Sequence, residues 1–357
     1  MSTTTPVATD ATVDEFTERF FTSVLSTFDI LAVFIGDRLG WYRALTAGPA
    51  TAEELVARAG GSRRYAQEWL EQQAATGYLA VTEDGRFRLP AGAAEVLTDA
   101  DSLAYLAPLA RMVGAAAVQL PGLVRAYREG GGVSWDEFGP DMREAQADVN
   151  RPIFLHQLGA TLSGVPAVHE VLSRPQARIA DVGCGAGWSS VALAAAYPDA
   201  TVDGWDVDEP SIGLARDAAT SKGVADRTTF TAGDAAGLPT GAYDAVFAFE
   251  CVHDMPDPVA VLRGMRRAVK PDGVVVVMDE AVGESFTAPA GDVDRTMYGY
   301  SVLICLPDGL STEGSVGTGT VMRPETLRRY ARAAGFSDIE ILETGEFGFF
   351  RFYRLLP

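Results

Sequence analysis

"IADVGCGAGWSSVALAAAYP", residues 179–198, holds three glycines in five positions: Gly183, Gly185 and Gly187. An apolar stretch ending in Asp181-Val182 leads into them, and a helical pattern follows. Glycine at such a turn permits positive φ and lets a ligand come close to the backbone. Around this stretch the hydrophobic period alternates. "RIADVG", "ATVDGWDVD", "TTFTAGD", "YDAVFAFECV" and "GVVVVMDE" read as strands, with helices expected at about 188–197, 211–223 and 258–269. Short, nearly continuous apolar strands separated by helices imply a parallel sheet covered on both faces, with right-handed connections. In such sheets ligands lie beyond the carboxyl ends of the strands.

The glycine pattern is G-x-G-x-G led by an acid, one residue shorter than the dinucleotide fingerprint G-x-G-x-x-G. A carboxylate in that loop is awkward beside a pyrophosphate but useful beside an ammonium or a hydroxyl. Asp206 closes the second strand, where a carboxylate can grip a ribose diol. Asp234, in "AGDAAGLP", closes the third, where an acid can accept from an exocyclic adenine amine. Three acids at three successive strand ends outline a nucleoside site without a phosphate.

Together, "DVGCGAGW", "GWDVD", "AGDAAGLP", "YDAVFAF" and "VKPDGVVVVMDE" resemble the class I S-adenosylmethionine-dependent methyltransferases, over roughly residues 175–357. The resemblance implies an α/β, Rossmann-like seven-stranded sheet of order 3214576 with its last strand antiparallel. "IEILE" and "FFRFYRLL" would supply the last two strands. It implies S-adenosyl-L-methionine as cofactor and transfer of its methyl group to a small-molecule acceptor, at oxygen or nitrogen, with carbon left open. By the same resemblance Asp181 and Gly183 face the methionine part, and Cys184, Gly185 and Gly187 complete the turn. Asp206 holds the ribose, Asp234 and Ala235 hold the adenine, and Trp205 or Val207 packs on the adenine face. Phe249, which ends the fourth strand, is placed at the cofactor too. Two rival readings share the cofactor: a regulator that senses it, and an enzyme that uses it without transferring methyl.

The acceptor is expected over the end of the fourth strand, in "FECVHDMPDP". His253 is the candidate general base, because an imidazole near neutrality can take a proton from a phenol or an enol. The alternative for His253 is a structural role. Glu250 is the candidate for orienting the acceptor or the methionine ammonium. Asp254 adjoins His253, and adjacent side chains ordinarily point apart. No histidine follows His253 in the chain. The insert 282–322 is long for a crossover, and long connections in compact domains are often functional. It offers Met297, Tyr298, Tyr300 and Cys305 as an acceptor pocket with phenolic handles.

Upstream, residues 12–98 read as a mainly helical, winged-helix-like domain. Thr51 with Glu54 forms a capping box, Ser62 is expected to cap a second helix, and "TEDG" turns between "YLAV" and "RFRL". Before them, Phe16, Phe20, Val24 and Phe28 recur at helical spacing. This front resembles the dimerisation domain of small-molecule O-methyltransferases, and the whole chain an actinobacterial (actinomycete-type) group of such enzymes, so a homodimer is expected. Winged helices often read DNA. Here thirteen acids stand against eight arginines over residues 1–95, which is the wrong footprint for nucleic acid. Residues 99–172 read as a helical linker and pocket cover, with "REGGGVSWDEFG" as a loop over the pocket and no chemistry of its own. Residues 173–357 are the cofactor-binding domain.

The formal net charge of −19 repels nucleic acid and anionic membranes alike. No run of eighteen apolar residues appears and the start lacks a secretory pattern, so neither a membrane span nor export is expected. The first dozen residues read as a disordered tail. Three well-separated cysteines and three histidines without ligand spacing suggest a reducing cytoplasm, no disulfide and no metal.

Overall fold

The computed structural model describes residues 12–357, so the expected N-terminal tail lies outside the described residues. The chain divides into two compact units between Ala117 and Val118.

The first unit opens with the helix Val13–Arg38, whose N-cap Thr12 forms a capping box with Glu15. Further on come the helices Ala52–Ala59 and Arg63–Ala75 and an antiparallel hairpin of β1 (Ala80–Val81) and β2 (Phe87–Arg88). This is the expected helix–helix–hairpin order. The Thr51–Glu54 capping box is present, a feature that contributes on the order of 1 kcal/mol. Ser62 occupies the N-cap position of Arg63–Ala75, but its side chain makes no capping hydrogen bond there. The unit's core is aromatic: Trp69 meets Trp41 and Tyr42 edge-on, at ring separations of 5.1 and 5.0 Å.

By length and mean hydropathy (1.5), the helix Val13–Arg38 could cross a bilayer, although no unbroken apolar run of eighteen residues marks it. Its C-terminal half instead belongs to the unit's core. Val33 is buried there, Trp69 Nε1 donates to Ala32 O at 2.9 Å, and Asp37 pairs with Arg111 at 3.1 Å. That ion pair and the hydrogen bond from the Trp69 indole tie this half of the helix into the packed unit. The stripe formed by Phe16, Phe20 and Phe28 faces outward, each residue about 60% exposed or more.

The second unit is built on a seven-stranded sheet. Its strands are β3 (Arg178–Val182), β4 (Thr201–Asp206), β5 (Thr228–Ala232), β6 (Tyr243–Phe249), β7 (Val269–Glu280), β8 (Asp338–Ile341) and β9 (Phe350–Leu356). They lie in the order β5-β4-β3-β6-β7-β9-β8, parallel except β9, which runs antiparallel to both β7 and β8. Numbered from the first strand of this sheet, that is 3214576 with the last strand reversed, as expected. All seven residues of β6 are buried, which explains why "YDAVFAF" shows no alternation: a central strand covered on both faces has no polar side. One apolar layer packs on each face, the first containing Leu193 and Ile212 and the second Leu262 and Leu327. The order of β4, β3 and β6 reverses direction about β3. The strand ends at that switch point form the crevice where such sheets hold ligands.

Two helical segments are placed near these strand ends. The helix Trp135–Ile153 starts at a Ser134–Glu137 capping box and kinks at Gly139 (φ 78°) before Pro140. The insert folds into the helix Asp292–Tyr300, a π-helical turn Ser301–Cys305 and a short helix Leu306–Gly309. The loop preceding the first of these helices packs on the end of the insert. Val133 N donates to Pro307 O at 3.1 Å, and Trp135 N donates to Asp308 Oδ1 at 2.7 Å.

Candidate active site

The three glycines adopt φ of 70°, 50° and 76° at Gly183, Gly185 and Gly187. Gly187 initiates the helix Trp188–Ala196, and a Cβ there would lie 2.7 Å from the Ala215 side chain. At Gly185 a Cβ would meet nothing within 4 Å, so the backbone at the centre of the turn borders open space. Gly185 N donates to Asp206 Oδ2 at 2.8 Å, and Asp208 N donates to Asp206 Oδ1 at 2.9 Å. Each oxygen keeps a further lone pair for a diol. Burial pushes the Asp206 carboxyl above the usual range.

Asp181 is fully buried. Its Oδ2 accepts from the hydroxyls of Ser189 and Ser190, both at 2.6 Å, while Oδ1 has no partner. Burial pushes its carboxyl up to about 6 against the pull of those two serines. Asp234 caps the short turn Ala235–Gly237 through Ala236 N at 2.7 Å, with Ala235 buried beneath it. The Trp205 ring sits against Gly237, and its buried Nε1 lacks a partner. Val207 is 77% exposed. Phe249 stacks on Phe247 at 5.1 Å and meets Phe154 edge-on, so it lies in the core layer. Cys184 is buried and Cys251 half-buried, both as free thiols whose ionisation burial suppresses.

The end of β6 joins the end of β7 through His253. Its Nδ1 lies 2.9 Å from Asp279 Oδ1 and 3.3 Å from Glu280 Oε2, and its Nε2 lies 3.3 Å from Asp254 Oδ1. Asp254 thus reaches the ring of its neighbour, contrary to the expectation that adjacent side chains diverge. The turn at 252–254, closed by Asp254 N donating to Cys251 O at 3.2 Å, brings the two side chains together. Burial alone would lower the His253 pKa, but the surrounding carboxylates of Asp254, Asp279 and Glu280 hold it well above the ordinary value. In return the imidazolium holds Asp279 low despite its burial, while burial keeps the Glu280 carboxyl well up. His253, Asp254 and Cys305, and likewise His253, Asp279 and Glu280, are compact enough for a cation. Pairing between imidazolium and carboxylates accounts for that compactness by itself.

Glu250 follows β6 with φ of 51°, a left-handed conformation that costs a non-glycine residue energy and is retained chiefly at functional sites. It accepts a hydrogen bond from Asn150 Nδ2 at 2.5 Å, and burial pushes its carboxyl up to about 7. Of the expected acceptor pocket, Tyr300 and Cys305 join this cluster electrostatically, each pushed up to about 12 by burial. Met297 is buried. Tyr298 turns to Arg323, 3.2 Å away, and meets Phe286 edge-on.

Several residues of this region went unread in the sequence: Asp279 and Glu280, and, from the segment thought to carry no chemistry, Arg143 and Asn150. "VVVVMDE" held a signal, because two acids closing an all-apolar strand must be satisfied where the sheet ends. Arg143 and Asn150 had no local signal, since their partners Asp208 and Glu250 lie far along the chain.

Residues 179–273, from β3 into β7, match the family model described as a methyltransferase domain. The chain carries a class I methyltransferase domain. S-adenosylmethionine is the cofactor of that class, and a helical unit precedes the domain here. The chain is 36% identical over 107 residues to the methyltransferase GfsG of Streptomyces halstedii, covering 29% of this chain and 38% of that protein. It is 28% identical over 185 residues to the 27-O-demethylrifamycin SV methyltransferase of Amycolatopsis mediterranei, covering 48% of this chain and 68% of that one. The chain thus spans between about two fifths and two thirds of the length of these relatives. Further relatives come from Aromatoleum and the fungus Gibberella, so the matches do not single out an actinobacterial group. The mitomycin 7-O-methyltransferase MmcR superposes with a TM-score of 0.72 at 21% identity, covering 95% of this chain and 97% of that one, a likeness of fold. With the sheet order, these matches bear out the methyltransferase fold expected from the glycine turn.

Proposed function

We propose that this protein transfers the methyl group of S-adenosylmethionine to an oxygen of a small-molecule acceptor, leaving S-adenosylhomocysteine. The observation that carries this reading is the convergence of the glycine turn and Asp206 with the Glu250–His253–Asp279 cluster at neighbouring strand ends. The names of the rifamycin and mitomycin enzymes support oxygen as the acceptor atom. When bound, the cofactor supplies an electrophilic methyl on its sulfonium. The chain's own residues do the rest. Asp206 takes the ribose hydroxyls, Asp234 and Ala235 take the adenine, and Trp205 or Val207 packs on the adenine face. Asp181 and the turn Gly183–Gly187 take the methionine end. Met297, Tyr298, Tyr300 and Cys305 wall the acceptor.

His253 takes the acceptor's proton as the new C–O bond forms and the S–C bond breaks, with Asp279 on Nδ1 fixing the ring. A second reading gives that proton to Glu250. Its carboxyl lies near 7, and it is less deeply buried than His253. Residues 12–98 serve dimerisation and 99–172 cover the pocket, while 173–357 bind the cofactor. The outward phenylalanine stripe of Val13–Arg38 supports a homodimer, and the acidic balance speaks against nucleic acid. Three free cysteines suit a cytoplasmic setting, and the Streptomyces and Amycolatopsis relatives suit the actinomycete-type group.

The test has two arms. Calorimetry with S-adenosylhomocysteine should show saturable 1:1 binding. Labelled S-adenosylmethionine with panels of phenols, enols and amines should give a product heavier by one methyl group. Absence of cofactor binding would overturn the reading. Turnover of amines alone would move the acceptor atom to nitrogen.

A further inference from the structure

The helix Trp135–Ile153 touches three of the strand-end loops at once. Arg143 Nε and Nη2 donate to the two oxygens of Asp208 at 2.6 and 2.9 Å, a bidentate pair with both side chains largely buried. Arg143 also lies 3.8 Å from the exposed Asp136. Two turns further on, Asn150 donates to Glu250 after β6, and the Arg151 guanidinium lies 5.5 Å from the centre of the Trp188 ring beside the glycine turn.

The Arg143 contact reaches the ribose acid in two steps. Asp208 N donates to Asp206 Oδ1, and Asp206 Oδ2 accepts from Gly185 N. Asp208 Oδ2 meanwhile caps the helix Glu209–Ser221, accepting from Ser211 N at 2.9 Å and Ser211 Oγ at 2.6 Å. The guanidinium therefore fixes a carboxylate whose own amide fixes Asp206. It does so from a helix that kinks at Gly139 before Pro140. Bidentate arginine–carboxylate pairs add geometric specificity as well as energy, and Lys cannot reproduce the fork.

We propose that Arg143 is a positioning residue, which through Asp208 sets the Asp206 carboxylate for the cofactor ribose and couples that site to the kinked helix Trp135–Ile153. This rests on the cofactor reading above but names a residue and a linkage that reading does not contain. Binding the nucleoside would then order the helix over the acceptor side, where Asn150 meets Glu250.

The test is calorimetric binding of S-adenosylhomocysteine to wild type, Arg143→Ala, Arg143→Lys, Asp208→Asn and the Ala/Asn double variant. Asparagine remains a competent N-cap, so Asp208→Asn keeps the following helix. Loss of a charged, bidentate pair should weaken binding by roughly tenfold to a hundredfold in Arg143→Ala and in Asp208→Asn. The double variant should be no weaker than either single one, because both break the same link. Arg143→Lys should recover only part of the loss. In wild type the ligand should also slow amide exchange over residues 145–151, and Arg143→Ala should lose that protection. Unchanged affinity in Arg143→Ala or Asp208→Asn, or additive losses in the double variant, would overturn the proposal while leaving the cofactor reading intact. A wild type that binds no S-adenosylhomocysteine would overturn both.

Discussion

His253 Nδ1 lies 2.9 Å from Asp279 Oδ1, joining the turn after one central strand to the end of its neighbour inside a layer closed to solvent. An ordinary imidazole changes charge near pH 6.5. Here the carboxylates favour the charged form more than burial opposes it, so the ring keeps its proton to higher pH. A base works only after losing that proton. The rate should therefore be low on the acid side and rise with pH through a limb above 6.5, higher than an unperturbed imidazole would give. Asp279→Asn should bring the limb down. His253→Ala should lower kcat by roughly 10² to 10⁴ with cofactor affinity nearly unchanged. Glu250→Gln should keep the limb if His253 is the base and abolish it if Glu250 is. The pH–rate profiles of the four proteins decide between the two.

Asp206 offers a second measurement. Two backbone amides hold its carboxylate at the strand end, and a ribose diol would add charge-assisted hydrogen bonds worth about 2–4 kcal/mol together. Asp206→Ala should weaken S-adenosylmethionine binding at least roughly thirtyfold. Calorimetry that finds wild-type affinity removes Asp206 from the site.

The sheet was legible because its strands are buried on both faces, and an apolar run such as "YDAVFAF" has few other ways to fold. The glycine turn was legible because positive φ selects glycine at three nearby positions. The cluster around His253 was only half legible. Its imidazole stood out as a residue type, but the carboxylates that set its charge come from another strand and from a neighbour expected to point away. Pairings such as Arg143–Asp208 are made by tertiary approach alone, and nothing local in "DMREAQ" encodes them. The apolar stripe of the first helix was legible as a stripe, from the spacing of Phe16, Phe20, Val24 and Phe28. Whether it faces a core or the outside depends on neighbours that a periodicity does not name.

The aromatic core of the first unit gives a stability prediction whose sign runs against helix propensity. Alanine favours a helix interior over glycine by about 1 kcal/mol. At Gly36 a Cβ would fall 2.2 Å from the buried Trp69 ring and 2.8 Å from Tyr42. That ring is held by Trp41 and by its bond to Ala32 O, so it cannot swing aside. Overpacking of this kind costs about 1–3 kcal/mol or more. Gly36→Ala should lower stability in urea unfolding, and a more stable variant would show that the Trp69 ring yields.

The outward stripe leads to the last prediction. Phe16, Phe20 and Phe28 lie along one helix and leave large apolar surfaces in water. Contiguous exposed patches of this kind mark association sites, and burying a phenylalanine contributes roughly 1.5–3 kcal/mol. A second copy of the chain presents the same stripe, which suits a two-fold interface that repeats each contact. Placing aspartates at positions 20 and 28 should remove that contribution in both subunits and add carboxylates that must be desolvated. The Phe20→Asp/Phe28→Asp double variant should run as a monomer in light scattering at concentrations where wild type is dimeric. Because the helix keeps its core side through Val33, Ala32 and Asp37, the variant's thermal transition should persist. A wild type of monomer mass, or a variant that stays dimeric, would remove this helix from the interface.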